Sequence, residues 1–474
     1  MRSVEGSEPA TELVRRHIEA RSRRIAFSPT PAERAAIVAI GDAVGAGLAY
    51  VCAAAAFHSV RGLDTYIGWT PAAVFAAAWL AALFMVDGYD IQIPASRVRS
   101  LAVVLKGVPF AALLAAAFFF VEPYRVNRPV IALSTMLGGF FVLVIRWTAA
   151  RLLLHEALAK RAILVAATQE TPLLKAALES ARYDHRVIGV VGAWPGNGRD
   201  LPKIGTTGEL AQVAEREKVR EIIVADPKSA EAHNAVEASI NANLEMVTVL
   251  DLVERYQGRV PLEALSSEWF IHLPKNELSR RTYLWTRRLL EVVLVVLLLV
   301  PYLVLLPFIA LSIKITSPGP VFVRQRRIGF AGREFTIIKL RTMRADAEAA
   351  GHQWSARNDP RITTLGRYLR RSRLDEVPQL LNVLVGEMSL IGPRPERPEF
   401  VSDLQARLPF YRARLSVKPG ISGWAQVKAG YAASLADTST KLEYDLYYVK
   451  NQSLRLDLQI VLHTVFTVLG LRGR

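Results

Sequence analysis

LLEVVLVVLLLVPYLVLLPFIALSI, residues 289–313, is the stretch whose reading decides the architecture. It is apolar and long enough to cross a bilayer, for which about 20 residues suffice. If it crossed, everything after it would lie on the opposite side of the membrane from the soluble segment before it. Both flanks are basic, however. Arg280, Arg281, Arg287 and Arg288 precede the run, and Lys314, Arg324, Arg326 and Arg327 follow it. Such residues beside a membrane segment favour the cytoplasmic face. Pro301 and Pro307 stand in its middle, each removing a backbone donor and forcing a kink. Two basic flanks and a central break predict a re-entrant helix over 280–317 that dips into the bilayer and returns to the face it left. The backbone groups exposed by the bend must then be satisfied by protein or interfacial water.

Upstream lies a soluble-looking stretch, 151–279, with alternating patterns. RAILVAA, HRVIGVVGAW, VREIIVAD and EMVTVLD read as buried strands. TPLLKAALESARY, GELAQVAEREK and AEAHNAVEASINAN read as the helices between them. Alternation of this kind predicts a parallel, Rossmann-like α/β sheet. A dinucleotide-binding version would run from its first strand into G-x-G-x-x-G. Here that turn is AATQETP, without glycine, so a structural or regulatory domain is expected rather than a cofactor site.

Further upstream, apolar stretches at 35–57, 67–86, 100–121 and 129–147 are each about as long as a bilayer is thick. They predict a four-helix transmembrane bundle over 35–150, rich in the Ala and Gly that permit close helix packing. Asp42 and Lys106 lie inside these runs and Arg146 near the end of the last. A charged group in a span is a functional candidate, but Asp42 and Lys106 are expected to sit near helix ends or to pack inside the bundle. Residues 1–34 are basic and polar, with no apolar core of a cleavable signal peptide. Arg15, Arg16, Arg21, Arg23 and Arg24 precede the bundle and Arg146, Arg151, Lys160 and Arg161 end it. The outer loops carry only Arg61, Arg125 and Arg128, so both ends of the bundle are expected on the cytoplasmic side.

Composition agrees with a membrane protein of two or three domains. The chain has 474 residues, 51% of them apolar, and a net charge of +16. Its mean hydropathy is +0.22. Such a charge calls for an anionic partner, and the apolar runs favour anionic lipid over nucleic acid. No nucleic-acid reading module is recognisable. The single cysteine, Cys52, excludes an intrachain disulfide and cysteine-type zinc sites. Phosphate-loop, H-E-x-x-H and G-x-S-x-G motifs are missing, and His352 and His463 stand isolated.

The chemistry concentrates in 318–474, an α-rich domain that opens with two short strands. RITTLGRYLRRSRLDEVPQLLNVL reads as an amphipathic helix with Leu365, Tyr368, Leu369 and Leu374 among arginines. Within it lies the acid pair Asp375-Glu376. On a helix, neighbours point about 100° apart, so the two acids cannot act alike on one atom. A carboxylate can attack phosphorus, and Mg²⁺ accepts hard carboxylate and phosphate oxygens. Lys339, Arg341, Arg370, Arg371, Arg373 and Arg394 are expected to keep the acids ionised and to neutralise a diphosphate.

SPGPVFVRQRRIG, IIKLRTMRADAE, NDPRITTLGRYLRRSRLDEVPQLLNVLVGEMSLIGPRPERPEF, YRARLSVKPGISGWAQV and KLEYDLYYVKNQSLRLDLQIVL follow in order. Together, over roughly 280–474, they resemble the bacterial sugar transferases, the monotopic polyprenyl-phosphate glycosyl-1-phosphate transferases. The bundle and α/β domain resemble the additions of the large members. The resemblance implies transfer of a sugar-1-phosphate from a UDP-sugar to undecaprenyl phosphate. Undecaprenyl-diphospho-sugar and UMP result, at the initiating step of exopolysaccharide or O-antigen synthesis. It implies that Asp375 attacks the β-phosphate and becomes phosphosugar-linked, and that Glu376 holds Mg²⁺. Lys339 and Arg370 complete the implied catalytic group. Arg341, Arg394, Lys418 and Asp445 form the substrate- and phosphate-binding set. A cytoplasmic-face catalytic domain in a bacterial inner membrane, and a homodimer, are also implied. One departure is that the family breaks its re-entrant helix at Ser-Pro, whereas these prolines follow Val300 and Leu306. An inert membrane scaffold for a polysaccharide export complex is the alternative, and it has no need of the acid pair.

Overall fold

The computed structural model describes residues 31–61, 69–86, 88–89, 97–121, 128–153, 159–165, 171–182, 184–192, 201–266, 269–270, 278–344, 347, 359–429 and 435–469. The basic N-terminal residues before 31, the AATQE turn and His352 lie outside them. The chain divides into two compact units, Met1–Leu252 and Val253–Arg474.

The first unit begins with helices α1 (Pro31–Arg61), α2 (Trp69–Met85), α3 (Arg97–Val121) and α4 (Arg128–Leu153). Three of them are long and apolar enough to cross a membrane, whereas α2 has 17 residues. At 1.5 Å per residue, α2 is about 26 Å long, a little short of the hydrocarbon core. The helices form a ring in which each packs on its sequence neighbours and α4 closes back onto α1. Small residues line α1, where Ala46, Ala53 and Ala54 are buried against Phe75, Trp79 and Leu83 of α2. Gly138 of α4 lies directly against the Trp79 indole, where a Cβ would collide with the ring.

Two expectations change here. Arg146, counted above as a cytoplasmic charge, is fully buried in the bundle and binds Asp42 through Nε at 3.1 Å and a terminal nitrogen at 2.8 Å. The physical reason is mutual neutralisation, since α4 runs past Arg146 to Leu153 and a buried charge needs a partner. Its other terminal nitrogen donates to the Gly88 carbonyl at 2.7 Å. Lys106, by contrast, is exposed on α3.

The α/β part contains β1 (Lys160–Val165), α5 (Pro172–Ala181), β2 (His185–Val191), β3 (Lys203–Gly205), α6 (Leu210–Arg216), β4 (Glu221–Val224), α7 (Ala230–Ala242), β5 (Glu245–Thr248) and α8 (Val249–Gln257). The five strands are parallel, in the order β3-β2-β1-β4-β5. Each strand read from its apolar run is present, and β3 is an additional short edge. Thr171 caps α5 by accepting from the Leu174 amide, with Pro172 at the first helical position. The apolar core of Ile163, Val165, Val191, Ile222 and Val224 packs against α6 and α7.

The second unit is built on α9 (Leu278–Thr316), 39 residues in one helix that continues through Pro301 and Pro307. The helical break expected at the prolines is therefore not seen. A proline costs one backbone bond and bends a helix, and here continuous packing holds the segment on both sides. Arg287, Glu291, Val295, Leu299, Tyr302, Leu306, Ile309 and Ile313, three or four residues apart, form one stripe along α9. Every member packs on or hydrogen-bonds to the same C-terminal unit. The remaining face exposes Leu297, Leu298, Val300, Leu303, Val304 and Phe308.

After α9 come the antiparallel hairpin β6 (Phe322–Ile328) and β7 (Glu334–Leu340), then α10 (Thr364–Arg371), α11 (Leu380–Val385), β8 (Ser389–Ile391) and α12 (Pro398–Arg407). β9 (Gly420–Ser422), α13 (Trp424–Lys428), α14 (Leu435–Lys450) and α15 (Leu454–Leu469) complete the unit. The single amphipathic helix expected around the acid pair is instead three pieces. Arg373 takes a left-handed conformation, φ 59°, which ends α10, and a 3₁₀ turn over Leu374–Gln379 precedes α11. The end of α8 and the segment behind it belong to this unit. Glu254 binds Lys450 at 2.7 Å, Arg259 binds Glu443 at 2.9 Å, and the Trp424 indole donates to the Gly258 carbonyl at 2.8 Å.

Candidate active site

The acid pair sits on the 3₁₀ turn, where successive side chains diverge by about 120° instead of 100°. That turn is wedged between β7, α10 and α11. β7 fixes Lys339, whose ladder partner on β6 is Val323. Residues opposite each other in an antiparallel pair share a face, so Lys339, Ile337 and Phe335 lie on the side of Arg327, and Ile337 and Phe335 pack on Leu380 and Val383 of α11. α10 is pressed onto the strand that continues from β7, because Gly366 leaves room for the Thr342 carbonyl that any Cβ would overlap. From this helix Arg370 donates through Nε to the Thr342 hydroxyl at 2.8 Å.

The two carboxylates differ sharply. Both are nearly buried, Asp375 at 7% and Glu376 at 8% exposure. Glu376 accepts from Arg373 at 3.0 Å on one oxygen and from Arg394 at 2.6 Å on the other. Burial pushes its carboxyl up, but Arg394 and Arg373 outweigh that and hold it down at about 2. Asp375 has an oxygen, Oδ1, that is buried with no hydrogen-bond partner among the described residues. Burial pushes its carboxyl up and the adjacent Glu376 charge adds to this. Arg370 and Lys339 offset only part, leaving it at about 7. The expectation that the cations keep both acids firmly ionised therefore holds for Glu376 and not for Asp375. Burial and the charges of Arg327 and Arg370 push Lys339 down to about 8, against the pull of Asp375. The arrangement offers one permanently charged, clamped carboxylate beside another that is poised near neutrality with an unshared oxygen.

Arg394 stands in the turn after β8, and that turn is held tightly. β8 and β9 are parallel, and the Gly420 amide donates to the Pro393 carbonyl at 3.0 Å. A Cβ on Gly420 would overlap the Gly392 amide, so only glycine permits this approach. Arg414, on the 3₁₀ turn Tyr411–Ser416, donates to the Arg394 carbonyl at 2.8 Å. It also binds the Asp445 carboxylate through Nε at 2.9 Å and a terminal nitrogen at 2.8 Å. Asp445, Arg414 and the Arg394 backbone thus form a chain behind the guanidinium that grips Glu376.

Of the residues selected from the sequence, Lys339, Arg370, Asp375, Glu376 and Arg394 come together. Three others lie elsewhere. Arg341 is buried and donates to the carbonyls of Ser317 and Pro318, at 2.5 and 2.7 Å, just beyond the end of α9. Asp445 is buried against Arg414 and supports the turn from behind. Lys418 is exposed near Gly386. Arg341 and Asp445 are thus placed to shape the site, because burial and a paired partner leave their charged ends committed. Residues that the sequence did not single out also belong here. Arg327 has a buried Nε without a partner among the described residues. Burial pushes it down to about 10, with Glu396 opposing and Arg394 adding to the fall. Strand alternation was the available signal, since Arg327 shares a face with Val323 while Arg324 and Arg326 are exposed. Arg414 gave no signal of its own, being one of two arginines in YRARLSVKPG.

Among the described residues no group of three His, Cys, Asp or Glu side chains could hold a metal ion. The donors present are nonetheless hard oxygens of two adjacent carboxylates, one of them without a partner. That set fits Mg²⁺ carried with a diphosphate, which needs only one or two protein carboxylates.

Comparison with known proteins places these features in context. The bacterial sugar transferase family matches residues 282–471, and a CoA-binding domain family matches 85–237. The UDP-N-acetylgalactosamine-undecaprenyl-phosphate N-acetylgalactosaminephosphotransferase of Aeromonas hydrophila is 40% identical over 232 residues, 48% of this chain and 53% of that one. The UDP-glucose:undecaprenyl-phosphate glucose-1-phosphate transferase of Xanthomonas campestris pv. campestris is 36% identical over 276 residues, 57% of each chain. The match thus spans little more than half the length of these two relatives. A transferase of Caulobacter vibrioides with the same description is 41% identical over 198 residues, 41% of this chain and 74% of its own length. With the dyad, the flanking cations and most of α9 inside the matched region, the chain belongs to the bacterial sugar transferase family.

Proposed function

We propose that this protein transfers a sugar-1-phosphate from a UDP-sugar to undecaprenyl phosphate, releasing UMP. The observation that carries this reading is the division of labour in the acid pair, with Asp375 unshared and Glu376 clamped. The relatives described above are named for undecaprenyl-phosphate hexose or N-acetylhexosamine phosphotransfer, which supports the same class of donor and acceptor.

In the first half-reaction an ionised oxygen of Asp375 attacks the β-phosphorus of the UDP-sugar. A carboxylate–phosphorus bond forms, the bond from that phosphorus to the bridging oxygen breaks, and its electron pair leaves on UMP. In the second, an oxygen of the lipid phosphate attacks the same phosphorus, and the bond to Asp375 breaks to restore the carboxylate. Lys339, Arg370 and Arg327 stabilise negative charge on the phosphoryl oxygens, a role worth most in a site screened from water. Glu376 fixes Arg373 and Arg394 at the edge of the site. Mg²⁺, held by the carboxylates together with the diphosphate, would supply further charge neutralisation.

The acceptor phosphate hangs from a chain buried in lipid, so the site must meet the bilayer. The apolar outer face of α9 suits that setting, and its inner stripe packs on the C-terminal unit both before and after Pro301. A helix docked along its length on one domain is expected to enter and leave the membrane on the same face, the cytoplasmic one, of a bacterial inner membrane. Basic residues beside α9 and on α10 suit anionic headgroups. Labelling single cysteines placed near residue 330 checks this, since access from the outside would overturn it.

The test of activity uses the purified full chain with Mg²⁺, undecaprenyl phosphate and a panel of UDP-sugars. UMP release that depends on the lipid, or a single burst without it, is expected. Full turnover by Asp375→Asn would remove the nucleophile from the scheme.

A further inference from the structure

The membrane helix brings one polar group to the acid pair. Tyr302, directly after Pro301, is 5% exposed and belongs to one apolar cluster with Leu340 and Leu369, against which Leu374 and Val377 pack. Each of these is a chain neighbour of a charged site residue. Leu340 follows Lys339, Leu369 precedes Arg370, and Leu374 and Val377 bracket Asp375-Glu376. The ring of Tyr302 is therefore held among the backbones that present the site. Its hydroxyl is buried with no hydrogen-bond partner among the described residues, as is Oδ1 of Asp375. The charge of Asp375 acts on this hydroxyl across the gap.

A buried hydroxyl without a partner costs about 1–3 kcal/mol. Phenylalanine would fill the same apolar pocket without that penalty, and the rest of the α9 stripe at this depth, Leu299, Leu306 and Ile309, is purely apolar. The hydroxyl thus needs a reason, and a ligand oxygen supplies one. A neutral donor is also what an apolar helix can carry to an anion, because burying a further charge there would cost far more.

We propose that Tyr302 is a catalytic residue whose hydroxyl donates a hydrogen bond to a non-bridging oxygen of the phosphoryl group while that group moves onto and off Asp375. The ligand is the sugar-linked phosphoryl group of a nucleoside diphosphate sugar, so the inference rests on the function proposed above and deepens it. Lys339 and Arg370 contact this group from strand and helix, and Tyr302 contacts it from the membrane helix. The donor is worth more in the transition state, where charge on the phosphoryl oxygens shifts, than toward bound substrate.

Tyr302→Phe in the full chain tests this. UMP release is followed with undecaprenyl phosphate and the UDP-sugar that the wild type turns over. The expected result is a fall in kcat of about 10²-fold, KM for the UDP-sugar within a few-fold, a slower single-turnover burst, and an unfolding midpoint equal to or above wild type. A kcat within twofold of wild type overturns the proposal, and so does a loss of rate matched by a loss of folded protein. Tyr302→Leu is expected to lose as much rate as Tyr302→Phe, and recovery by leucine would also overturn it. The underlying function fails separately, by a wild type that releases no UMP from any UDP-sugar, or by an active Asp375→Asn. Wild-type turnover, a dead Asp375→Asn and a fully active Tyr302→Phe would remove Tyr302 alone.

Discussion

Two regions of this molecule bury carboxylates against arginine, and they do so in opposite ways. In the bundle, Asp42 meets Arg146 one to one, both at 0% exposure, with the spare nitrogen of the guanidinium given to the Gly88 carbonyl. In the C-terminal unit, Asp375 and Glu376 share surroundings with Lys339, Arg370, Arg373, Arg394 and Arg327, and cations exceed acids. A matched pair is neutral in itself, even though Oδ1 of Asp42 is buried without a hydrogen-bond partner among the described residues. A surplus of half-buried cations is stable only if something anionic comes to them. That difference separates a structural ion pair from a substrate site, although each is an acid beside an arginine in a chain of high apolar content.

The contrast is broken most directly at Asp375. Asp375→Asn should cost about 10⁴-fold or more in UMP release and leave the fold intact. The same change should stabilise the protein. Folded Asp375, at about 7, binds its proton more tightly than the unfolded side chain at its ordinary value of 3.8. Between those values the folded state carries more protons, so stability falls as pH rises through that window. Asparagine removes the fall, and a higher unfolding midpoint at pH 8 than wild type is expected, with equality at pH 4. A midpoint lower than wild type at pH 8 would mean that Asp375 is a structural acid like Asp42.

Arg394 and the chain behind it come next. Arg394→Ala should lower kcat about 10²- to 10³-fold by releasing Glu376 and a phosphate donor together. Arg414→Ala touches neither group directly, yet loses the 2.8 Å bond to the Arg394 carbonyl and leaves Asp445 buried and unpaired. It should lose both rate and folded protein. Asp445→Asn, which keeps a neutral partner for Arg414, should retain more activity than Arg414→Ala, as kcat measurements on the folded fraction would show.

The pH profile gives a smaller effect with a definite sign. Asp375 must be ionised to attack, so the rate should rise through about pH 7. Lys339 must be charged to help, and burial and its cationic neighbours bring it down to about 8. A narrow bell in kcat/KM between those values follows. Lys339→Arg keeps its charge at high pH, so it should lose the alkaline limb while keeping the acidic one. An unchanged alkaline limb would assign that titration to another group.

Much of this was legible from residues alone. The apolar runs, the strand and helix alternation, and the ordered motifs of the C-terminal third pointed to α1–α4, the α/β elements, α9 and the five residues that converge, whereas α12, α14 and α15 were not read as separate elements. What the sequence could not show was which charges are spent. Arg341 and Arg370 are two arginines close to the same motifs, yet one caps the end of α9 and the other supports the site. The left-handed Arg373 carries no residue-type signature, so the acid pair read as helical when it lies on a 3₁₀ turn. Pro301 and Pro307 read as a break because local rules treat proline in isolation, whereas a docked stripe on both sides keeps α9 continuous. Arg146 read as a loop charge because its partner lies 104 residues away.

That last pair gives the smallest expected effect on chemistry and the clearest control. Arg146→Ala leaves Asp42 buried with no cation, a loss worth about 3–5 kcal/mol in comparable settings. The folded fraction in detergent should fall accordingly. Asp42→Asn combined with Arg146→Gln leaves no charge to bury, so the double variant should recover much of the loss, as coupled neighbours do. In both variants the UMP released per folded molecule should stay within about twofold of wild type, since surface and scaffold changes away from a site leave its chemistry intact. The two regions would then respond in opposite directions. Neutralising an acid at the dyad removes turnover and stabilises the fold, whereas stranding an acid in the bundle removes stability and spares turnover. Loss of turnover in the folded Arg146→Ala protein would show instead that the bundle pair takes part in the reaction, and that one-to-one pairing is no guide to a merely structural charge.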